Sequence, residues 1–411
     1  MSERPPDLHR RRTLLKSLAV AAALPWTGQG TAQRAARPLP ALVTGVLLPA
    51  RSAVPELAQR YLSGLQLGLG PAAAHVAGSR PTELLIRFAG SRPAEWEAAA
   101  RDLLSAGAQV LVALGDGLQA RLGPLAEQHH TPLIVSELGS LMPRGERHSP
   151  FVFGHSLQLW QAEWALGVWS AQRRKRVQVL TSLLESGYDL PYAYASGVAS
   201  AGGSLIETSV ADDFSGAHDF PAALARIRQL QPDHLHIVAS QSGFLELVRA
   251  ARRELGGPAA LSIAGLALTA GAGVTGSRSA LSWTAELDSP LNRQFVAAYQ
   301  RRTHQSADAL AVLGYEAATW LLQALNTVGA SPSEQLQPWL SALAQARFQS
   351  PRGEVWADQN RSLQAPIYLR QSLPGGARVL GVLPAPPRGH PALQALLEHP
   401  RSGWSQVYLH A

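Results

Sequence analysis

No cysteine occurs anywhere in the chain. That excludes disulfides, a thiolate metal centre and a lipid anchor carried on cysteine. Charged side chains are also sparse, at 16% against 46% hydrophobic residues, which is not the composition of a disordered chain. No apolar run approaches the roughly 20 residues needed to span a bilayer, so the mature protein is not expected to be membrane-embedded. The phosphate-binding glycine patterns are missing too. "TGVLLPARSAVPE" stands where G-x-G-x-x-G would follow a first strand, and no Walker sequence is present. "GHSLQ" and "SQSGF" do not fit a nucleophile elbow. His129 and His130 are adjacent, so on a helix they diverge and cannot share a metal. No cofactor and no catalytic constellation are therefore expected.

The formal net charge of +7 suggests nucleic acid at first sight, but part of it is local. Arg4, Arg10, Arg11, Arg12 and Lys16, with Glu3 and Asp7, fall in the first 32 residues, and beyond them 31 basic and 27 acidic side chains remain. The one dense basic run, "RRKR" at 173–176, ends a helical pattern, where it answers the helix dipole. No nucleic-acid partner is expected.

What is present begins with a leader. "HRRRTLLKSLAVAAALPWTGQGTAQ" combines a basic start, a short apolar stretch and small residues before Gln33. Arg11-Arg12-Thr13-Leu14-Leu15-Lys16 is similar to the twin-arginine export motif, with a general secretory signal as the plainer reading. Residues 1–32 are expected to be a signal peptide cleaved near Ala32, which places the mature protein in the periplasm.

Beyond Pro38–Pro40, strand and helix patterns alternate. "ALVTGVLL", "ELLIRF", "VLVAL" and "TPLIVS" read as strands, separated by helices whose apolar faces include Leu57, Tyr61, Leu65 and Leu69, and later Leu118, Leu122 and Leu125. Near-continuous apolar strands between helices indicate parallel sheets covered on both faces. The cycle restarts with "LQLWQAEWALGVWSAQ", "RVQVLT", "SLIETS" and "HLHIVAS". In the first of these, Trp160 and Trp164 share a helix face that reads as core. The expected fold is α/β, with two doubly wound parallel-sheet lobes.

The order of "TGVLLPARSAVPELAQRYLSGLQLGL", "AGAQVLVALGDGLQARLGPLAEQHHTPLIVS", "SPFVFGHS", "FPAALARIRQLQPDHLHIVASQSGFLELVRAARRELG" and "FVAAYQRRTHQSADALAVLGYEAATWLLQAL" resembles the type I periplasmic binding proteins. Within these the resemblance is to the branched-chain amino-acid-type (Leu/Ile/Val-binding-like) substrate-binding components of ABC transporters, over most of residues 41–372. It implies two lobes joined by three crossings with a ligand cleft between them. The crossings are expected near Phe151–Gly154, Leu281–Thr284 and Phe348–Pro351. Lobe 1 is then 41–152 plus 284–348, lobe 2 is 153–283 plus 349–383, and 384–411 is a C-terminal extension.

The same resemblance implies ligand-binding positions. Asp116 stands where relatives present a serine or backbone amides to a ligand carboxylate, and as an acid it would suit an ammonium, a urea-like donor or hydroxyls instead. The plainer reading of Asp116-Gly117-Leu118-Gln119 is a capping box at a helix start. Ser136 and Ser140 match hydrogen-bonding positions in "SELGS", Tyr188 (or Ser186) matches a second-lobe aromatic, and Ser240 and Gln241 fall where amino-acid binders carry an aromatic. The acid that meets an amino acid's ammonium would lie near Leu266–Ala267 and is missing. The implied function is capture of a small polar or amphipathic molecule and its delivery to an ABC permease, by a monomer and without catalysis. A ligand sensor of the same fold, or an exported α/β enzyme, are the alternatives.

Overall fold

A computed structural model describes residues 40–51, 56–70, 81–142, 149–173, 176–182, 185, 189–211, 220–239, 244–255, 260–264, 274–387 and 391, all within the compact unit Leu39–Ala411. The leader, Tyr188, Ser186, Ser240, Gln241, Leu266–Ala267 and most of the C-terminal extension lie outside the described residues.

The first lobe is built on β1 (Leu42–Pro49), β2 (Thr82–Ala89), β3 (Val110–Leu114), β4 (Leu133–Glu137) and β5 (Val152–Ser156). They form a five-stranded sheet in the order β2-β1-β3-β4-β5, with every pairing parallel. All five residues of β3 are buried, as an interior strand covered on both faces requires. Helices α1 (Leu57–Leu69), α2 (Pro93–Ser105) and α3 (Leu118–Gln128) follow β1, β2 and β3. Trp96, Leu103, Leu118 and Leu122 from α2 and α3 pack on one face of the sheet, together with Leu47 and Leu111.

The second lobe repeats this pattern. It runs α4 (Leu159–Arg173), β6 (Arg176–Ser182), α5 (Leu190–Ser200), β7 (Ser204–Ala211), α6 (Pro221–Leu230), β8 (His234–Val238), α7 (Phe244–Leu255), β9 (Ala260–Ala264) and β10 (Arg278–Leu281). The chain then returns to the first lobe with α8 (Pro290–Thr303), α9 (Ala309–Val328) and α10 (Leu336–Ala344), of which α8 and α9 pack against α1. Asp308 starts α9 by accepting from Ala311 N–H at 2.9 Å, and Gly329 closes it in the left-handed conformation. A small antiparallel sheet follows, of β11 (Arg347–Ser350), β12 (Gly353–Ala357) and β13 (Leu363–Gln364). Finally β14 (Ile367–Leu373) and β15 (Gly376–Leu383) add to the second sheet, whose order is β15-β14-β10-β9-β8-β6-β7. Strands β6 to β10 are parallel, whereas β14 and β15 are antiparallel additions.

Two helix pairs approach so closely that only glycine fits. A Cβ on Gly64 of α1 would lie 1.9 Å from Ala311 O of α9, and one on Gly314 of α9 would lie 1.9 Å from Tyr61 O. In the second lobe Gly167 of α4 and Gly197 of α5 face the backbones of Tyr194 and Trp164 in the same way.

Two crossings lie further along the chain than the sequence suggests. β5 pairs with β4 from Leu133↔Val152 to Glu137↔Ser156, so the first sheet continues to Ser156 and the chain leaves it at Leu157. Residues 349–364 do not enter the second lobe directly, because β12 and β13 fold back on β11, and Ser362 bridges to Gly154 of β5. The third crossing is therefore at Ala365–Pro366. After β10 ends at Leu281 the chain passes through Ser282–Thr284 towards α8.

Candidate functional site

A strand order of 2-1-3-4-5 reverses direction between β1 and β3, and ligands of open α/β sheets sit outside the strand ends at that switch point. The equivalent reversal in the second sheet lies between β6 and β8. Asp116 follows β3 at the first of these switch points, while Tyr188, Ser240 and Gln241 lie outside the described residues.

At the first switch point, the β3–α3 turn and the segment after β4 hold each other. Asp116 is 4% exposed, and its carboxylate accepts from Leu138 N–H at 2.7 Å and from the Ser140 hydroxyl at 2.7 Å. Glu137 reciprocates, accepting from Gly117 N–H at 3.2 Å and from the Gln119 amide at 3.0 Å. The capping-box reading is therefore corrected. The N-cap of α3 is Gly117 in the left-handed conformation (φ 77°), and Gln119 reaches Glu137 of the neighbouring strand instead of returning to Asp116. Pairing between strands outcompetes the local box because β4 brings its own acid to the helix start.

Ser140 is buried and donates to Asp116, so these two predicted residues do meet. Ser136 lies elsewhere: it is buried within β4, hydrogen-bonded to the Tyr61 hydroxyl at 2.8 Å and to His155 Nδ1 at 3.0 Å.

The segment from Leu138 to Met142 also reaches the second lobe. Gly139 O accepts from Trp160 N–H of α4 at 2.9 Å, and Met142 N–H donates to Asp189 Oδ2 at 2.6 Å, directly before α5. Asp189 was not singled out in the sequence, although it adjoins Tyr188. Only the fold shows that its partner comes from the other lobe.

Behind this segment a buried chain of polar groups leads to the crossings. Glu316 of α9 accepts from His155 Nε2 at 2.9 Å, from Arg352 Nε at 2.9 Å and from the Ser350 hydroxyl. Arg352 Nη1 donates to Ser156 O at 2.8 Å and to Ser282 Oγ at 3.0 Å, while Ser282 donates to Leu157 O at 2.8 Å. Gln158 Oε1 accepts from Ala365 N–H at 2.9 Å. One guanidinium and two side-chain bonds thus join all three crossings. Burial pushes the Glu316 pKa up, but Arg352 and His155 more than offset this and hold it at about 2. Burial lowers the His155 pKa, and Arg352 adds to that. A neutral His155 must then carry its proton on Nε2, because Glu316 only accepts. Its Nδ1 therefore accepts from Ser136, which accepts in turn from Tyr61.

A second buried network lies under β8. His236 Nε2 meets Glu163 Oε2 at 2.7 Å, His236 Nδ1 meets Ser262 Oγ at 2.8 Å, and the Tyr194 ring stacks on the imidazole at 3.7 Å. Burial pushes Glu163 well above the carboxylate range and His236 down to about 3, so the pair is neutral in the folded state.

Two doubly wound sheets, three bonded crossings and a polar segment that reaches from the first switch point to the second lobe define a two-lobed architecture. The family model described as "Periplasmic binding protein" matches residues 43–377, and the chain belongs to that family. No curated protein matches the sequence. Among solved structures, a solute-binding protein of an ABC transporter from R. palustris in complex with benzoate is similar at 23% identity and a TM-score of 0.69, covering 85% of this chain and 98% of that one. An ABC transporter substrate-binding protein from Sphaerobacter thermophilus gives 22%, 0.72, 84% and 98%. A leucine-binding protein from Thermotoga maritima gives 20%, 0.64, 83% and 98%. At these identities the structures attest the fold.

Proposed function

We propose that this chain is the solute-binding component of an ABC import system. It captures a small polar or amphipathic molecule between its lobes and presents the closed form to a permease. The observation that carries this is the segment Leu138–Met142, whose donors reach Asp116 in one lobe and Asp189 in the other across the point where both sheets reverse. Closure by rotation at the bonded crossings would bring the lobes together on the solute, with Asp116 and Ser140 as the first-lobe contacts and Tyr188, Ser240 and Gln241 proposed as those of the second. Ser136 serves this site from behind, by fixing β4.

The export signal at residues 1–32, cleavage near Ala32, a periplasmic location and a monomeric state belong to the same reading. Among the described residues no helix is long and apolar enough to cross a membrane.

A thermal-shift screen of the protein lacking residues 1–32 against amino acids, polyamines, polyols, ureas, amides and aromatic acids tests the reading. A solute at about 100 times its dissociation constant raises stability by about 2.7 kcal/mol, and the bound compound should be recovered unchanged. Turnover of the compound would replace binding with catalysis.

A further inference from the structure

Backbone N–H groups and hydroxyls gathered at strand ends and helix starts commonly receive anions. In this chain, four such donors at the first switch point end on the protein's own acids. Leu138 N–H and the Ser140 hydroxyl go to Asp116, Met142 N–H goes to Asp189, and Gly117 N–H goes to Glu137. Asp116 is the sharpest case. It is almost wholly buried, Oδ1 accepts from Leu138 N–H and Oδ2 from the Ser140 hydroxyl, both at 2.7 Å, and these two donors lie two residues apart on one loop. That is the geometry of a bidentate carboxylate receptor with the carboxylate built in.

We infer that Asp116 acts as an internal carboxylate that fills the anion-receiving donors of this site, so that the solute it selects is neutral or cationic where it meets the first lobe. The inference rests on the solute-binding reading above and deepens it to a ligand class. A ligand carboxylate arriving here would find both donors used and a like charge beside it. Displacing Asp116 would leave a buried acid without its hydrogen bonds. A neutral or cationic group meets neither that competition for donors nor that like charge. The expected class thus differs from the benzoate bound in one of the solved relatives.

The test uses formate as the probe, so it does not depend on knowing the solute. In Asp116→Ala the Leu138 N–H and the Ser140 hydroxyl lose their acceptor, and formate is small enough to replace it. Thermal unfolding in sodium formate against sodium chloride at equal ionic strength should raise the melting temperature of Asp116→Ala and leave the wild type unchanged. The affinity of the variant for formate should exceed that of the wild type by about tenfold or more. Asp116→Asn keeps an acceptor in place and should not respond. If Asp116→Ala does not fold alone, recovery of folded protein on refolding in formate but not chloride is the same readout.

In the solute screen, neutral or cationic compounds should shift the wild type and benzoate should not. Equal responses of wild type and Asp116→Ala to formate, or no response of either, would overturn the inference. So would benzoate binding to the wild type as tightly as to Asp116→Ala. If no solute shifts the wild type while formate still rescues Asp116→Ala, the solute-binding reading fails and the internal carboxylate stands.

Discussion

Arg352 donates to both oxygens of Glu316 inside the first lobe, and with its remaining nitrogen it binds the backbone of the first crossing and the hydroxyl of the second. Both side chains are fully buried, so the pair sits where any rotation of one lobe on the other must pivot.

Removing one partner of such a pair leaves an uncompensated buried charge. Arg352→Met is expected to cost about 3–5 kcal/mol in denaturant unfolding. Arg352→Met combined with Glu316→Leu should recover a large part of that loss, because the lone charge is gone. A double mutant as unstable as the sum of the singles would contradict the account.

The acid limb of stability follows from Glu316. Its folded pKa of about 2 lies below the ordinary 4.5, so its contribution is complete above pH 4.5 and is lost as pH falls towards 2. The contribution is on the order of 3 kcal/mol. Chemical denaturation at steps between pH 5 and 2 should show this slope in the wild type and a shallower one in Glu316→Gln.

The Glu163–His236 pair acts on both sides of neutrality. Folded, Glu163 holds its proton and His236 is neutral; unfolded, Glu163 releases above about 4.5 and His236 gains below about 6.5. Between those values both states hold one proton and the pair adds no pH dependence. Below 4.5 the unfolded state holds an extra proton, and above 6.5 it holds one fewer, so stability falls in either direction. Glu163→Gln keeps a donor to His236 without a proton to lose, and its stability relative to wild type should be distinctly higher at pH 8 than at pH 5.5. Equal stability differences at the two pH values would contradict this.

Asp189 accepts the Met142 N–H across the lobes, so Asp189→Ala should weaken solute binding roughly tenfold, the scale of one charge-assisted hydrogen bond. Isothermal titration with any solute found in the screen checks it. An unchanged affinity would show that the contact plays no part in holding the lobes together.

The helix pairs supply a packing test. Gly64→Ala and Gly314→Ala each push a methyl into the facing helix backbone, and Gly167→Ala and Gly197→Ala do the same in the second lobe. Each should cost about 1–3 kcal/mol or more, because backbone cannot move aside as a flexible side chain can. Thermal unfolding of the four variants measures it.

The sequence by itself determined the alternation of buried strands and amphipathic helices, and with it the two parallel-sheet lobes, because burial on both faces imprints a local apolar pattern on every interior strand. It also marked Asp116 in the turn after β3, since turns after strands are readable from their glycines and polar residues, whereas Ser140 was singled out only by the family resemblance. Tertiary structure decided what those residues bind. The Gln119 amide goes to Glu137 rather than back to Asp116, and Ser136 turns into the core towards Tyr61 and His155. The crossings at Leu157 and Ala365, the convergence on Arg352 and the Met142–Asp189 contact were likewise beyond local pattern. The hydrogen bonds that join one crossing to another or one lobe to the other link residues 47 to 207 positions apart, and no periodicity within a helix or strand encodes which distant donor an acid will meet.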